Sequence, residues 1–249
     1  MPHITTWHLW WWVILPYIAI AVFVVGHIWR WRYDQFGWTS RSTQLQEQRL
    51  LKWGAPLFHY SALAAIAGHA MGILIPKAVT DWLGIHETFY QDVSAVAGSA
   101  AAIGVLIGGA LLTIRRTAVP RVRATTSAVD YLALILLGII VILGIYLTLG
   151  IQDTSHYEYR ETVGVWFRSL FALHPNVAVI VQAPLMYQVH AIAAWAIFIV
   201  WPFSRLVHAW SYPLWYLWRP YIVIRSRVAK QPQEPGTAGR RWRKIGVPY

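Results

Sequence analysis

The sequence predicts an all-α integral membrane protein of five transmembrane helices, with its N-terminus outside and its C-terminus cytoplasmic. Three observations carry this. The 249 residues are 57% apolar and only 12% charged, too little polar surface to enclose a soluble globule. Five uncharged runs, 9–28, 53–75, 93–114, 131–151 and 183–203, reach the roughly 20 residues that a helix needs to cross the hydrocarbon core. The basic residues, finally, sort by side. Arg30, Arg32, Arg41, Arg49 and Lys52 fall in the first connection, Arg115, Arg116, Arg121 and Arg123 in the third, and nine more from Arg205 onward. The other side holds only Lys77, Arg160 and Arg168, with six of the ten acids. By the positive-inside rule the Arg-rich side is cytoplasmic, so the net charge of +11 reflects topology and not nucleic-acid binding.

Taken in order, the first run has no basic segment before it and no small-residue cleavage site after it, which predicts a retained helix and not a signal peptide. In the polar connection that follows, Gln44-Leu45-Gln46-Glu47-Gln48-Arg49 is expected to form a short helix leading into the second span. Gly104 and Gly108, four residues apart in the third run, allow close approach to a neighbouring helix. The long external connection, 152–182, contains an amphipathic stretch from Val163 to Leu173, expected to lie on the membrane surface, and then His174-Pro175-Asn176 as a turn. Trp10-Trp11-Trp12, Trp29, Trp31, Trp82 and the cluster from Trp210 to Trp218 stand at run ends, where amphipathic rings favour the headgroup zone. Residues 1–224 form the membrane domain, and 225–249, basic and poor in apolar residues, a cytoplasmic tail without a core of its own.

Cysteine is absent, which excludes disulfides, thiolate metal sites and covalently attached haem. Of the ten histidines, His3, His8, His86, His156 and His174 fall in polar or interfacial segments, and His27 is ambiguous. His59 and His69 lie inside the second run, and His190 and His208 in the fifth or at its inner end, where an ionisable side chain is costly unless used. The two helices run antiparallel, so His59 meets His208 at the inner level and His69 meets His190 at the outer level. Two pairs of imidazoles at different depths suit two haems b, held by histidine at both axial positions. The competing reading makes these histidines polar glue or a proton path.

The spacings differ: ten residues leave His59 and His69 roughly 80° apart, while eighteen residues are five full turns and put His190 and His208 on one face. Straight helices could not satisfy both pairs. Pro202 is expected to break the fifth helix and redirect His208 toward His59. Arg116 and Arg205, near the inner interface, are candidates for haem propionates or, equally, for lipid headgroups.

These residues resemble a known family, the gamma subunit of respiratory membrane-bound nitrate reductase. The likeness rests on Leu57-Phe58-His59 with Gly68-His69 and Met71-Gly72, on Pro120-Arg121-Val122-Arg123-Ala124-Thr125-Thr126, and on Pro202-Phe203-Ser204-Arg205-Leu206-Val207-His208. It runs from about Pro16 to Tyr221. The resemblance implies that quinol, menaquinol or ubiquinol, is oxidised at the outer face near His69 and His190. Electrons would pass inward to an iron–sulfur beta subunit, and from there to a molybdenum alpha subunit that reduces nitrate to nitrite, all in the cytoplasmic membrane. Family analogy places the quinol around His69, Gly72 and Lys77. Some members carry a lysine before the third helix, whereas this chain reads Gly84-Ile85-His86-Glu87-Thr88-Phe89-Tyr90-Gln91. Either His86 substitutes as a donor or proton acceptor, or the quinone is held differently. The rivals are the cytochrome b subunit of a formate dehydrogenase, hydrogenase or sulfur-cycle reductase, and a membrane anchor or transporter without redox function.

Overall fold

Five helices are long and apolar enough to cross a membrane: Thr6–Tyr33, Arg49–Leu74, Glu87–Ala118, Ala128–Gly150 and Leu185–Phe203, the first to fifth spans. The computed structural model describes residues 3–39, 42–152 and 157–211, so the expected tail at 225–249 and His156 lie outside the described residues. Each helix overlaps one of the five uncharged runs and most extend it into polar flanks. Glu87 in the first turn of the third span and Arg115 and Arg116 in its last turn suit the ends of the helix dipole. The fourth span starts on a capping box, in which Ser127 Oγ accepts from Asp130 N–H (3.2 Å) and Asp130 Oδ2 accepts from Ser127 N–H (3.0 Å).

The second and third spans form the tightest pair. Glycine makes this possible: a Cβ at Gly108 would stand 2.5 Å from the backbone nitrogen of Phe58, and one at Gly104 would overlap Ser61 Oγ. The fifth span packs instead on the first and the fourth. The second span is the least buried of the five, and both of its histidines are exposed on it. A cleft therefore runs beside its histidine-bearing face, and no Cβ neighbour stands within 4 Å of Gly68 along it.

Between the third and fifth spans the connections differ from expectation in three ways. Val163–Phe171 is a helix, but its apolar face is buried in protein: Trp166 and Leu170 are each 1% exposed. Trp166 meets Trp12 edge-on at 5.4 Å and donates from Nε1 to the Trp12 carbonyl (3.0 Å). Trp12, expected at the headgroup zone, is thereby only 2% exposed, and the π turn Trp10–Ile14 interrupts the usual helical ladder beside that carbonyl. The turn falls at Ala172 and Leu173, where Leu173 takes a positive φ of 56°, and not at 174–176. Earlier in the chain, 44–49 is not a short helix. Gln44–Gln46 is a turn closed by the Gln46 N–H on the Thr43 carbonyl (3.0 Å), and Arg115 donates to the Thr43 and Glu47 carbonyls on either side of it (2.8 and 3.0 Å).

Gly108→Ala is expected to destabilise the protein by about 1–3 kcal/mol through overpacking. Gly109→Ala, whose Cβ would rest 3.7 Å from the Phe58 ring, is expected to be close to neutral. Thermal unfolding of the two variants in detergent compares them directly, and equal losses would contradict this account of the helix pair.

Candidate functional site

The fifth span ends as a regular α-helix at Val200. A 3₁₀ turn, Trp201–Phe203, follows, then an extended Ser204 (φ −105°, ψ 179°) and a second 3₁₀ turn, Arg205–Ala209. Pro202 removes an N–H from the ladder, so the chain breaks there as expected. The released groups find partners. Arg30, buried at 9% exposure, donates from Nη1 to the Pro202 carbonyl (2.9 Å) and is itself held by Asp34 at 2.7 Å. Ser204 Oγ caps the second turn by accepting from Leu206 N–H (3.2 Å). Asp130 fixes the start of that turn from the fourth span, accepting both the Arg205 backbone N–H and Arg205 Nε at 3.0 Å.

The consequence is that His208 faces His59, with their Nε2 atoms 3.4 Å apart. His59 Nδ1 lies 2.7 Å from the Ala55 carbonyl and His208 Nδ1 lies 2.6 Å from the Arg205 carbonyl. A carbonyl only accepts, so each Nδ1 donates to it and the two Nε2 atoms are left facing each other. A metal–imidazole bond is roughly 2 Å long, so two opposed imidazoles need about 4 Å, close to the separation here.

At the other end of the cleft His69 and His190 face each other with ring centroids 6.1 Å apart and planes within 17°. His69 Nδ1 is likewise bound to a carbonyl, that of Ala65, at 2.7 Å. His190 Cε1 lies 3.5 Å from where a Cβ on Gly144 of the fourth span would stand. Among the described residues no group of three or more His, Cys, Asp or Glu side chains is placed to hold a metal ion. Two nitrogens alone make a poor metal site. Each pair offers two imidazoles and, among the described residues, no third donor of those kinds.

Of the other expected site residues, Arg205 is engaged by Asp130 and the Thr125 carbonyl, and Arg116 makes a long hydrogen bond (3.4 Å) to Thr126 Oγ1. His27, left ambiguous by the sequence, bonds the Phe23 carbonyl through Nδ1 and packs against Phe23 and Trp210. His86 stands exposed at the start of the third span. Lys77 lies on the short helix Lys77–Trp82, 2.8 Å from Asp81, whose hydrogen bond holds the ammonium pKa above the ordinary lysine value. Gly72, on the π turn Ala70–Leu74 that follows His69, is buried beneath the Tyr159 hydroxyl.

The sequence singled out none of the residues that hold the segment carrying Tyr159. Arg160, 1% exposed, donates to Thr80 Oγ1 (2.9 Å) and Glu87 Oε2 (3.5 Å) and lies 4.1 Å over the Tyr90 ring. Arg168 donates to the Ile73 carbonyl (2.7 Å) on the π turn. The Gln91 amide bridges Glu87 and Glu158. Burial, and then the charge and hydrogen bond of Glu87 with the charge of Glu161, push the Glu158 carboxyl up against the opposing pull of Lys77.

Two outcomes are expected. Asp130→Ala leaves Arg205 without its carboxylate and is expected to cost about 3 kcal/mol, read by thermal unfolding. For Glu158, an upward shift means that the folded state holds its proton longer than the unfolded one. Stability should therefore fall as pH rises from the ordinary glutamate range through the raised value, and Glu158→Gln should flatten that slope. An unchanged slope in the variant would remove Glu158 as its source.

The sequence profile of the nitrate reductase gamma subunit family matches residues 8–227. The nitrate reductase gamma chain of Bacillus subtilis (strain 168) is 42% identical over 216 residues, covering 87% of this chain and 97% of that one. The respiratory nitrate reductase 1 gamma chain of Escherichia coli (strain K12) is 36% identical over 217 residues, covering 86% and 95%. The nitrate reductase-like protein NarX of Mycobacterium tuberculosis (strain ATCC 25618 / H37Rv) is 42% identical over 231 residues, covering 90% of this chain and 35% of that protein. The chain belongs to the nitrate reductase gamma subunit family, whose members are subunits of an enzyme complex.

Proposed function

We propose that this chain is the quinol-oxidising membrane cytochrome b of a respiratory nitrate reductase, with His59 and His208 holding one haem b and His69 and His190 a second. The observation that carries the reading is the opposed pair of Nε2 atoms at 3.4 Å, each ring fixed through Nδ1 by a carbonyl. A carbonyl on the far nitrogen sets the tautomer and raises the basicity of the ligating one. Haem bound in these positions supplies an iron that changes oxidation state by one electron. The polypeptide's part is to hold the four imidazoles at two levels of one cleft and to surround them with apolar side chains.

The charge distribution supports a topology with the His69 end outside and the His59 end inside. Quinol is then oxidised at the outer end, near His69, Gly72 and Lys77, with its protons released outside. Electrons leave at the inner end toward an iron–sulfur beta subunit and a molybdenum alpha subunit, where nitrate becomes nitrite. Lys77 is tied to Asp81 and lies 3.9 Å from Glu87, so its part in this reading is electrostatic, and His86 is the exposed group available for proton transfer. Arg116 and Arg205 remain the candidates near the inner haem, and residues 225–249 a cytoplasmic tail after the membrane domain, 1–224.

The test is a haem count on membranes that contain the chain with its partner subunits. Two haems b per chain are expected, reduced by menadiol and reoxidised by nitrate. His208→Ala is expected to keep one haem and to lose delivery of electrons to nitrate. Two haems retained in that variant would break the pairing, and haem that ignores nitrate would assign the chain to a different complex.

A further inference from the structure

The segment 157–162 enters the cleft between the second and fifth spans at the His69 end. Gly72 lies three residues after His69, and Tyr187 three residues before His190 on the antiparallel fifth span, so both stand about one turn beyond the histidine pair on the same side. Tyr159 sits between them. Its hydroxyl fills the space that a Cβ on Gly72 would take, and its ring lies nearly parallel to that of Tyr187, within 16° and with centroids 6.2 Å apart.

The hydroxyls of this cluster are unequally satisfied. Tyr157 shares a hydrogen bond with Thr162 Oγ1 at 2.6 Å. Tyr159 reaches the Tyr90 hydroxyl at 3.5 Å and also has Ser94 as a hydrogen-bond partner. Tyr187 is 8% exposed, and its hydroxyl has no hydrogen-bond partner among the described residues. A buried hydroxyl is normally paired, so an unpaired one beside a cleft calls for a ligand atom. A quinol ring carries two hydroxyls that both donate and accept, as a tyrosine hydroxyl does.

We propose that the Tyr187 and Tyr159 hydroxyls form the polar subsite that holds one oxygen of the quinol ring at the His69 end of the cleft. The proposal rests on the reading of the chain as a quinol oxidase and adds residues outside the set considered above. Arg160 and Arg168 are positioning residues for it. Through Thr80, Glu87 and the Ile73 carbonyl they hold the segment that carries Tyr159 against the second span.

The experiment uses the assembled complex, with menadiol as substrate and menadione as equilibrium ligand. Tyr187→Phe and Tyr159→Phe are each expected to raise KM for menadiol about tenfold, with a smaller change in kcat, and to weaken menadione binding in parallel. The haem spectrum and content should stay as in the parent. Tyr157→Phe is the control, because its hydroxyl is already paired, and its KM should not move. Gly72→Ala displaces the Tyr159 hydroxyl without removing any and is expected to raise KM like the Phe variants, so it decides the matter if one of those loses haem. Parent-like KM and menadione affinity in Tyr187→Phe and Gly72→Ala would overturn the subsite and leave quinol oxidation standing. A parent complex that menadiol does not reduce would overturn both.

Discussion

Everything at the His59 end depends on the break in the fifth span between Pro202 and Ser204. A continuous helix would carry His208 onward on the same face as His190, away from a partner whose own spacing follows a different angle. The break costs hydrogen bonds in a region where water cannot replace them. Three side chains from elsewhere make up the loss: Arg30 from the first span, Asp130 from the fourth, and Ser204 within the break itself. Pairing of His59 with His208 is thus a property of four spans and not of two.

The opposite end is organised by polar contacts of a different kind. No helix break redirects His190. Instead, the connection 157–182 folds back onto the bundle, with Trp166 against Trp12 and Trp195, and Arg160 and Arg168 against the second and third spans. Tyr17 of the first span adds a hydrogen bond to the Leu170 carbonyl (2.9 Å). This end of the cleft therefore has a roof made of loop and short helix, whereas the other end is closed by the chain's own fifth span.

The five spans and both histidine pairings were legible in the sequence because their signals are local or depend on simple topology. Uncharged runs mark the spans, and a histidine within such a run stands out against its neighbours. Pro202 was legible for the same reason, since its effect on a helix is intrinsic. The connections were less so. The run 44–49 reads as a helix, whereas Arg115 pins Thr43 and Glu47 on either side of a turn, and Val163–Phe171 has the pattern of a surface helix until Trp166 finds Trp12. Arg30 with Pro202 and Arg160 with Thr80 join residues 172 and 80 positions apart, with no periodicity to announce them. Arg160 carried one weak signal, an arginine among the acids of the external connection, Asp153, Glu158 and Glu161.

The glycine contacts between the second and third spans bear on the order in which the molecule is made. Those two helices are consecutive, separated only by the connection that contains Lys77–Trp82, so they can pair as soon as both have been synthesised. The fifth span and the turn bearing His208 come last from the ribosome. Until then the histidine-bearing face of the second span lacks the partners, His190 and His208, that it meets in the finished bundle.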